Sequence, residues 1–328
     1  MSPAAPGETR ADGSWLLRHV GLADDGGAVD LIVADGRIES IERGAGAVRW
    51  VCLPPLADLH VHANRAFTPA PARPRGLDDA ARNVAETMAR FGVDDHRRHA
   101  ALLFAAARSH ATTRVRTHAD VDAGSGLAAV AGTLQAAAEF APDMEIETVA
   151  FAAAGSDPVT VEGRRRLREA VALGAGFLGA APAFCDDPKA TIDAVLDLAG
   201  ELDVPVDLHL DEHLQASACL SGHLAQAVSR RGLEGQVTLG HGCAIAILDD
   251  DERRRTLDQL AAARITVIAL PRTNLYLQDA TGTVPRHRGI VNVREMIRHG
   301  IPVRFASDNV RDAFYPFGDA DLIGVAMD

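Results

Sequence analysis

His60 and His62 lie two residues apart at the end of an apolar run, which is the spacing of side chains on one face of a strand. Two imidazoles that point the same way can bind one metal ion. Three further polar residues, His209, His241 and Asp308, each follow a separate strand-like apolar run. Because the carboxyl ends of barrel strands converge, this recurrence predicts a metal site at the mouth of a barrel.

The residue types at these strand ends indicate which metal ion is expected. Three histidines with one carboxylate suit a divalent ion of borderline or hard character, which is zinc or iron(II). Taken singly, His209 and His241 are equally compatible with hydrogen-bonded histidines at strand ends. Asp308 alone is compatible with a helix N-cap. The joint occurrence at separate strand ends favours the metal site.

Glu212 lies three residues after His209, where the chain leaves its strand and turns over the predicted site. A carboxylate at this position can transfer protons during a reaction. The alternative is a solvated loop acid, which is the usual environment of glutamate. Asp211 and His213 flank Glu212, and we expect them to be structural or to face solvent.

The elements that position these residues alternate between strand-like runs and longer stretches of helical periodicity. Eight strands are predicted, over residues 56–62, 113–118, 146–152, 177–184, 204–210, 237–240, 265–270 and 302–306. Helices are predicted between them, for instance over residues 77–109, 161–173, 191–202, 217–230 and 252–263. This pattern predicts an α/β fold, a (β/α)8 TIM barrel whose active site lies at the carboxyl ends of the strands.

Three segments are expected along the chain. Residues 1–13 are polar and are predicted to be disordered. Residues 14–55 read as short strands with turns at 24–27 and 35–36, so they predict a small β element. Residues 56–328 form the predicted metal-dependent hydrolase barrel.

Composition limits the possible partners. The chain is 47% hydrophobic and 24% charged, and it has no apolar stretch that would suit a membrane span. A formal net charge of -12 disfavours nucleic acid, so a small molecule is the expected partner. The four cysteines, which are Cys52, Cys185, Cys219 and Cys243, have no CxxC spacing. Free thiols and the lack of a secretion signal predict a cytoplasmic protein.

The sequence resembles the amidohydrolase superfamily, and within it the cytosine deaminase branch. The resemblance extends over nearly the whole chain, and its strongest segments read PPLADLHVH, VRTHAD, HLDE, VTLGH and SDNVRDAFYPFG. They begin at residues 54, 115, 209, 237 and 307. A further matching segment, PRTNLYLQ, covers residues 271–278.

The resemblance implies a metal held by His60, His62, His209 and Asp308, with His241 beside it. Superfamily members with two metals use a carboxylated lysine at the end of strand four. Residues 181–186 contain no lysine, and Lys189 follows where a helix should begin. One divalent ion, zinc or alternatively iron(II), is therefore predicted.

The resemblance also implies a reaction, which is the hydrolytic removal of an amino group from an aromatic ring carbon. A bound cation lowers the pKa of its water toward neutrality. Asp308 and His241 would accept and orient the water proton. Glu212 would protonate the ring nitrogen and help to deliver a proton to the departing ammonia.

Departures from the cytosine deaminase pattern concern the substrate. That branch usually carries a glutamine after strand three, whereas residues 151–155 here include Ala153 and no amide. Asn309 replaces the acidic residue that often follows the strand-eight aspartate. Small side chains would admit a larger ring, such as an aminotriazine, a pterin or a modified pyrimidine. The predicted substrate-binding residues are Asn309, Phe314, Arg272 and Ala153, with Arg272 facing an anionic substituent and Phe314 forming a wall.

Family members continue past strand eight, so we expect the C-terminal part of the family fold to be missing from this chain. A truncation, a shortened gene or a partner that supplies the missing surface would each explain the length. Two alternatives to a deaminase follow. One is a hydrolase that releases a substituted amine from an N-alkylated triazine-type ring, and the other is a non-catalytic binding protein that retains the fold. A homo-oligomer is also expected from the resemblance.

Overall fold

The computed structural model describes residues 7–22, 26–68, 74, 76–153, 156–279 and 287–327. The chain divides into two compact units, Met1–Pro55 and Leu56–Asp328. No helix within these described residues is both long enough and apolar enough to cross a membrane.

The first unit is a five-stranded sheet. Its strands are β1 (Gly7–Thr9), β2 (Trp15–Leu22), β3 (Ala28–Ala34), β4 (Arg37–Arg43) and β5 (Trp50–Cys52). Strands β1 to β4 pair antiparallel in chain order, and β5 pairs with β2 in parallel. Val20 and Leu31 are buried in this sheet, because alternate residues of β2 and β3 face one side.

The disorder predicted for residues 1–13 does not extend over residues 7–13. Residues 1–6 lie outside the described part of the chain, but Gly7–Thr9 pairs with β2. A turn makes this pairing possible, because the Arg10 N–H donates to the Ser14 carbonyl at 2.8 Å. The Asp12 carboxylate accepts from the Ser14 hydroxyl at 2.6 Å and closes the turn.

The second unit is built on a parallel eight-stranded sheet. Its strands are β6 (Leu56–Val61), β7 (Thr112–Val121), β8 (Glu145–Ala152), β9 (Phe177–Ala180), β10 (Val206–Leu210), β11 (Val237–His241), β12 (Thr266–Ala269) and β13 (Val303–Phe305). They pair in chain order from β6 to β13. Beyond β13, the Asp308 N–H donates to the His60 carbonyl at 2.9 Å and brings the last strand to the first. The predicted TIM barrel is confirmed.

Helices surround the barrel strands. They are α1 (Leu77–Met88), α2 (Val93–Ser109), α3 (Ala128–Phe140), α4 (Val161–Leu173), α5 (Pro188–Leu202), α6 (Ser221–Arg231), α7 (Asp250–Ala262), α8 (Pro271–Leu277), α9 (Val293–Arg298) and α10 (Leu322–Met327). Their apolar faces pack on the sheet around buried residues such as Leu103, Phe104, Leu196 and Leu257.

Two predicted elements end earlier than expected. The helix predicted over residues 77–109 is two helices, because Gly92 has an extended backbone and Asp95 caps the start of α2. The strand predicted over residues 177–184 stops at Ala180. Pro182 then begins a short 3-10 turn, since proline has no N–H to donate to a neighbouring strand.

Candidate metal centre

The imidazoles of His60, His62 and His209 converge at the carboxyl ends of β6 and β10. The Nε2 atom of His209 lies 3.1 Å from Nε2 of His60 and 2.9 Å from Nε2 of His62. One ring nitrogen carries either one proton or one lone pair, so it cannot make a normal hydrogen bond to both neighbours. Ligand atoms of a tetrahedral zinc site lie about 3.3 Å apart. The three rings therefore have the arrangement of ligands around a cation.

Asp308 adds a carboxylate to these rings. Its Oδ1 atom lies 3.6 Å from Nε2 of His62 and 4.0 Å from Nε2 of His60. Two overlapping sets of four residues have ligand atoms within 4.8 Å of one another, and His60 and His209 belong to both. The first set adds His62 and His118, and the second adds His241 and Asp308. The structure thus brings the four residues predicted as ligands to one place.

The donor atoms fit a divalent cation. Nε2 of His241 and Oδ2 of Asp308 are buried and have no hydrogen-bond partner among the described residues. Burial lowers the pKa of His60, His62 and His209 well below the usual value. These rings are therefore neutral at pH 7, which is the state that binds metal.

Burial shifts the pKa of the Asp308 carboxyl group in the opposite direction. Burial, followed by the charge of Asp312, raises the pKa of Asp308 to about 8. A carboxylate in such surroundings is stabilised by an adjacent positive charge. The buried Asp308 therefore favours a cation at the convergence point.

The backbone at the strand ends is unusual. His241 and Asp308 have positive φ angles of 72° and 60°, a region that non-glycine residues adopt at a cost. The Asn309 side-chain amide donates to Oδ1 of Asp308 at 2.8 Å and holds its carboxylate. Strained residues of this kind are common at functional sites, and both here belong to the predicted site.

Glu212 is buried, not solvated, and it lies beside His241. Its Oε1 atom is 3.5 Å from Nδ1 of His241, and that nitrogen is also 3.1 Å from Oδ1 of Asn274. Burial, and then the charge of Asp308, raises the pKa of Glu212 well above the usual value. Glu212 can therefore hold a proton at neutral pH and donate it to a bound molecule.

Asp211 fixes the loop that carries Glu212. Its carboxylate accepts from the backbone N–H groups of Leu220 at 2.8 Å and Ser221 at 3.0 Å. It also accepts from the Ser221 hydroxyl at 2.5 Å and the Cys219 thiol at 3.2 Å. Asp211 thus has the structural role that the sequence predicts for it.

Arg65 is a buried cation near the site that sequence reasoning missed. Its guanidinium lies 3.5 Å from Asp120, 3.4 Å from Asp312 and 3.4 Å from Oδ1 of Asn309. It thereby joins the segment after β6, the carboxyl end of β7 and the segment after β13. The sequence feature that could have identified Arg65 is its position three residues after His62, in the same segment at the end of the strand.

The four residues predicted to bind substrate lie in different surroundings. The Asn309 amide already contacts Asp308 and Arg65, and the Phe314 ring packs 4.9 Å from the Arg65 guanidinium. Arg272 forms an ion pair with Asp319 at 2.8 Å. Ala153 directly follows β8, and its N–H donates to the Val121 carbonyl. Their roles in substrate binding stay predictions.

Phe151 was not predicted as a site residue, yet it lies against the histidines. Its ring centroid is 4.6 Å from that of His209 and 5.5 Å from that of His118. The sequence feature that could have identified Phe151 is its position at the end of β8, the third barrel strand. The cytosine deaminase pattern has its glutamine in this stretch. An apolar ring there gives the site one aromatic wall.

Gly240 makes room for His60. A Cβ atom at residue 240 would lie 2.5 Å from Cε1 and 2.9 Å from Nδ1 of His60. We expect Gly240→Ala to displace this imidazole and lower metal affinity, at a stability cost of about 1–3 kcal/mol. Chelator competition and thermal unfolding measure the two effects.

Gly200→Ala is the matched control for that substitution. A Cβ atom at residue 200 of α5 meets no described atom within 4 Å, so this variant should bind metal normally. Unchanged metal affinity in Gly240→Ala would contradict the packing that we describe around His60.

A model of the amidohydrolase family matches residues 162–325. A pterin deaminase from Rhizobium rhizogenes is 32% identical over 323 residues, which cover 90% of this chain and 70% of that relative. The chain belongs to the amidohydrolase family. The family resemblance inferred from the sequence is therefore confirmed.

Two further amidohydrolase relatives support the same placement. N-isopropylammelide isopropyl amidohydrolase from a Pseudomonas species is 25% identical, covering 96% of this chain and 79% of that relative. The solved structure of 5-methylcytosine deaminase from Klebsiella pneumoniae superposes with a TM-score of 0.84 at 26% identity. That match covers 94% of this chain and 78% of the other. The predicted class, a hydrolase of carbon–nitrogen bonds, is confirmed at the level of the family.

Proposed function

We propose that this chain hydrolytically removes an amino group from a nitrogen heterocycle, using one bound divalent metal ion. One observation carries the proposal. Metal donors from β6, β10 and the segment after β13 converge near His241, and His241 lies 3.5 Å from Glu212, a buried acid that can hold a proton. A metal site without a nearby proton donor would equally suit a binding protein. The acid favours an enzyme.

The reaction breaks one C–N bond and forms one C–O bond. A bound divalent cation supplies a water of lowered pKa. Glu212 donates its proton to the ring nitrogen next to the attacked carbon, which makes that carbon more electrophilic. Of the two protons that water loses, one restores Glu212 and the other reaches the amino group, so that ammonia leaves and the ring carbon becomes a carbonyl.

His241 and Asp308 complete the proposed proton path. The Asn274 side chain contacts Nδ1 of His241, so Nε2 of that ring is the atom left to meet a substrate or water. Asp308 lies on the same side and can accept the proton that water loses. Both groups are buried, which strengthens their electrostatic effect on a reacting molecule.

We propose a single metal ion, with zinc favoured and iron(II) as the alternative. Three imidazoles and one carboxylate form a donor set that suits either ion. The segment after β9 runs through Ala181 to Cys185 and provides no lysine for a second ion, and Lys189 lies within α5. Elemental analysis of protein purified without added metal tests both the number and the type of ion.

A pterin is the ring that we propose to test first. The relative with 32% identity is a pterin deaminase. Phe151 presents an apolar ring beside the metal donors, and Ala152 and Ala153 follow it with small side chains. An apolar ring and small side chains suit a bicyclic aromatic substrate. A single pyrimidine would be better bound by a site with an amide that forms hydrogen bonds to the ring edge.

Release of a substituted amine is the second candidate. It is supported by the relative that acts as an N-isopropylammelide isopropyl amidohydrolase. The small residues at the end of β8 would also admit an alkyl group on the departing nitrogen. The two reactions share the metal donors and Glu212, so they differ only in the leaving group.

A panel assay distinguishes these candidates. Metal-loaded protein is incubated with aminopyrimidines, aminotriazines, pterins and N-alkylated triazines, and ammonia and alkylamine are measured separately. Ammonia release from a pterin supports the first proposal, and alkylamine release supports the second. Bound metal without either product would indicate a binding protein. A cytoplasmic location and a homo-oligomer stay predictions.

A further inference from the structure

Asp207 lies directly beneath the metal donors, inside the barrel. It is two residues before His209 on β10, so both side chains point to the same face of the strand. Asp207 is wholly buried, and its Oδ2 atom accepts from the Arg116 guanidinium at 3.0 Å. Its Oδ1 atom faces Nε2 of His118 at 3.4 Å and Nδ1 of His60 at 3.8 Å.

These facing atoms lack other partners. Oδ1 of Asp207, Nδ1 of His60 and both ring nitrogens of His118 have no hydrogen-bond partner in the part of the chain that the structure describes. Leaving such groups unpaired inside a protein is unfavourable, so they are expected to find partners. Oδ1 of Asp207 is therefore placed to accept a proton from either of the two histidines that it faces.

The orientation of His60 gives this contact a consequence for the metal. Its Nε2 atom points at the convergence point, 3.1 Å from Nε2 of His209, and its Nδ1 atom points away from that point. An imidazole that offers Nε2 to a metal carries its proton on Nδ1. That proton needs an acceptor, and a buried carboxylate is the strongest one available in a protein.

We propose that Asp207 is a positioning residue for the metal centre: it accepts the Nδ1 proton of His60 and so fixes the tautomer and orientation of that ligand. This inference rests on the metal site of the proposed function. The absence of a side chain at Gly240 is consistent with this arrangement, because a Cβ atom there would collide with Cε1 and Nδ1 of His60. Gly240 thus leaves the space that the His60 imidazole occupies, and Asp207 provides the acceptor for its Nδ1 proton.

The ion pair with Arg116 does not by itself explain why a carboxylate is buried at residue 207. Arg116 also donates to Glu147 at 2.8 Å and to the Thr238 hydroxyl at 3.2 Å, and it stacks 4.0 Å above the Phe177 ring. Glu147 therefore already provides it with a carboxylate. Asp207 offers Arg116 only one of its oxygens and presents the other to the two histidines.

The substitution Asp207→Asn tests the proposal. Arg116 requires an acceptor, so the amide oxygen of the variant will face it and the NH2 group will face His60. A donor opposite Nδ1 favours the tautomer with its proton on Nε2, which cannot bind metal. We expect zinc affinity, measured by competition with a chromogenic chelator, to fall about 10- to 100-fold.

Glu147→Gln is the matched control, because it changes the other carboxylate on Arg116 without touching His60. Zinc affinity should stay within about twofold of the original protein, because the outer-shell effect comes from groups that contact a metal ligand and Glu147 bonds to Arg114 and Arg116 instead. Thermal unfolding of both metal-free variants shows whether either substitution damages the fold. Equal losses of zinc affinity in the two variants, or no loss in Asp207→Asn, would overturn the proposal.

A measurement on the unmodified protein covers the case in which Asp207→Asn does not fold. Nitrogen-15 NMR of histidine-labelled, zinc-loaded protein reports which ring nitrogen of His60 carries the proton. The proposal requires a proton on Nδ1 in a strong hydrogen bond, and a proton on Nε2 would overturn it. Neither readout uses a substrate, so failure of the proposed deamination would leave this test unaffected.

Discussion

Replacing His209 with alanine is expected to remove the bound metal and with it all catalysis above background. Its Nε2 atom is the meeting point of the site, 2.9 Å from that of His62 and 3.1 Å from that of His60. It also belongs to both sets of residues that can hold an ion. We expect metal affinity to fall by more than about 100-fold, since even outer partners of a ligand contribute 10- to 100-fold.

His223→Ala is the control for that experiment. His223 lies in α6 and pairs with Asp193 at 3.2 Å on the outside of the barrel. This variant should retain its metal content by elemental analysis and its turnover. A His209→Ala protein that folds and still binds metal with the original affinity would contradict the site.

Replacing Glu212 with glutamine is expected to have the opposite pattern, with metal retained and turnover lost. Glutamine has nearly the same shape but cannot donate an acidic proton to the ring nitrogen. General acid catalysis contributes about 10²–10⁴-fold to rate, so kcat should fall by that factor. Steady-state kinetics and elemental analysis of the same sample give the two values.

Glu252→Gln controls for the change of glutamate to amide elsewhere in the chain. Glu252 is exposed in the first turn of α7, and its substitution should leave kcat unchanged. Normal turnover in Glu212→Gln would remove this residue from the mechanism. Loss of metal in that variant would instead make Glu212 part of the metal centre.

Much of the fold and the metal donors follows from local sequence pattern. A parallel barrel places all strand ends on one rim, so polar residues at the ends of apolar runs must lie close together there. That reasoning needs only the positions of the strands, and it finds His60, His62, His209, His241 and Asp308. It does not need the details of packing between them.

The supporting residues depend on strand register, which local pattern does not reveal. Arg116 contacts Asp207 and Thr238 across the barrel interior, and Gly240 is opposite His209 only because of the pairing between β10 and β11. Arg65 joins the segment after β6 to the end of β7 and to the segment after β13, which are far apart in the chain. Such contacts are set by the assembled fold, so single-sequence reasoning misses them.

Local pattern also misjudged where two elements stop and where one begins. The short strand β1 forms because β2 provides a partner, although its own residues are polar. The break between α1 and α2 at Gly92 interrupts a stretch whose helical periodicity continues on both sides. Element boundaries depend on single residues and on partners, whereas long periodic patterns identify only the element type.

Ammonia release from a pterin by metal-loaded, metal-stripped and remetallated protein tests the proposed function most directly. We expect release from the loaded protein, none after dialysis against a chelator, and full recovery when zinc is added back at one equivalent per chain. Equal ammonia release before and after complete metal removal would contradict a metal-dependent deaminase. Absence of both ammonia and alkylamine across the whole ring panel, from protein that holds its metal, would contradict catalysis itself.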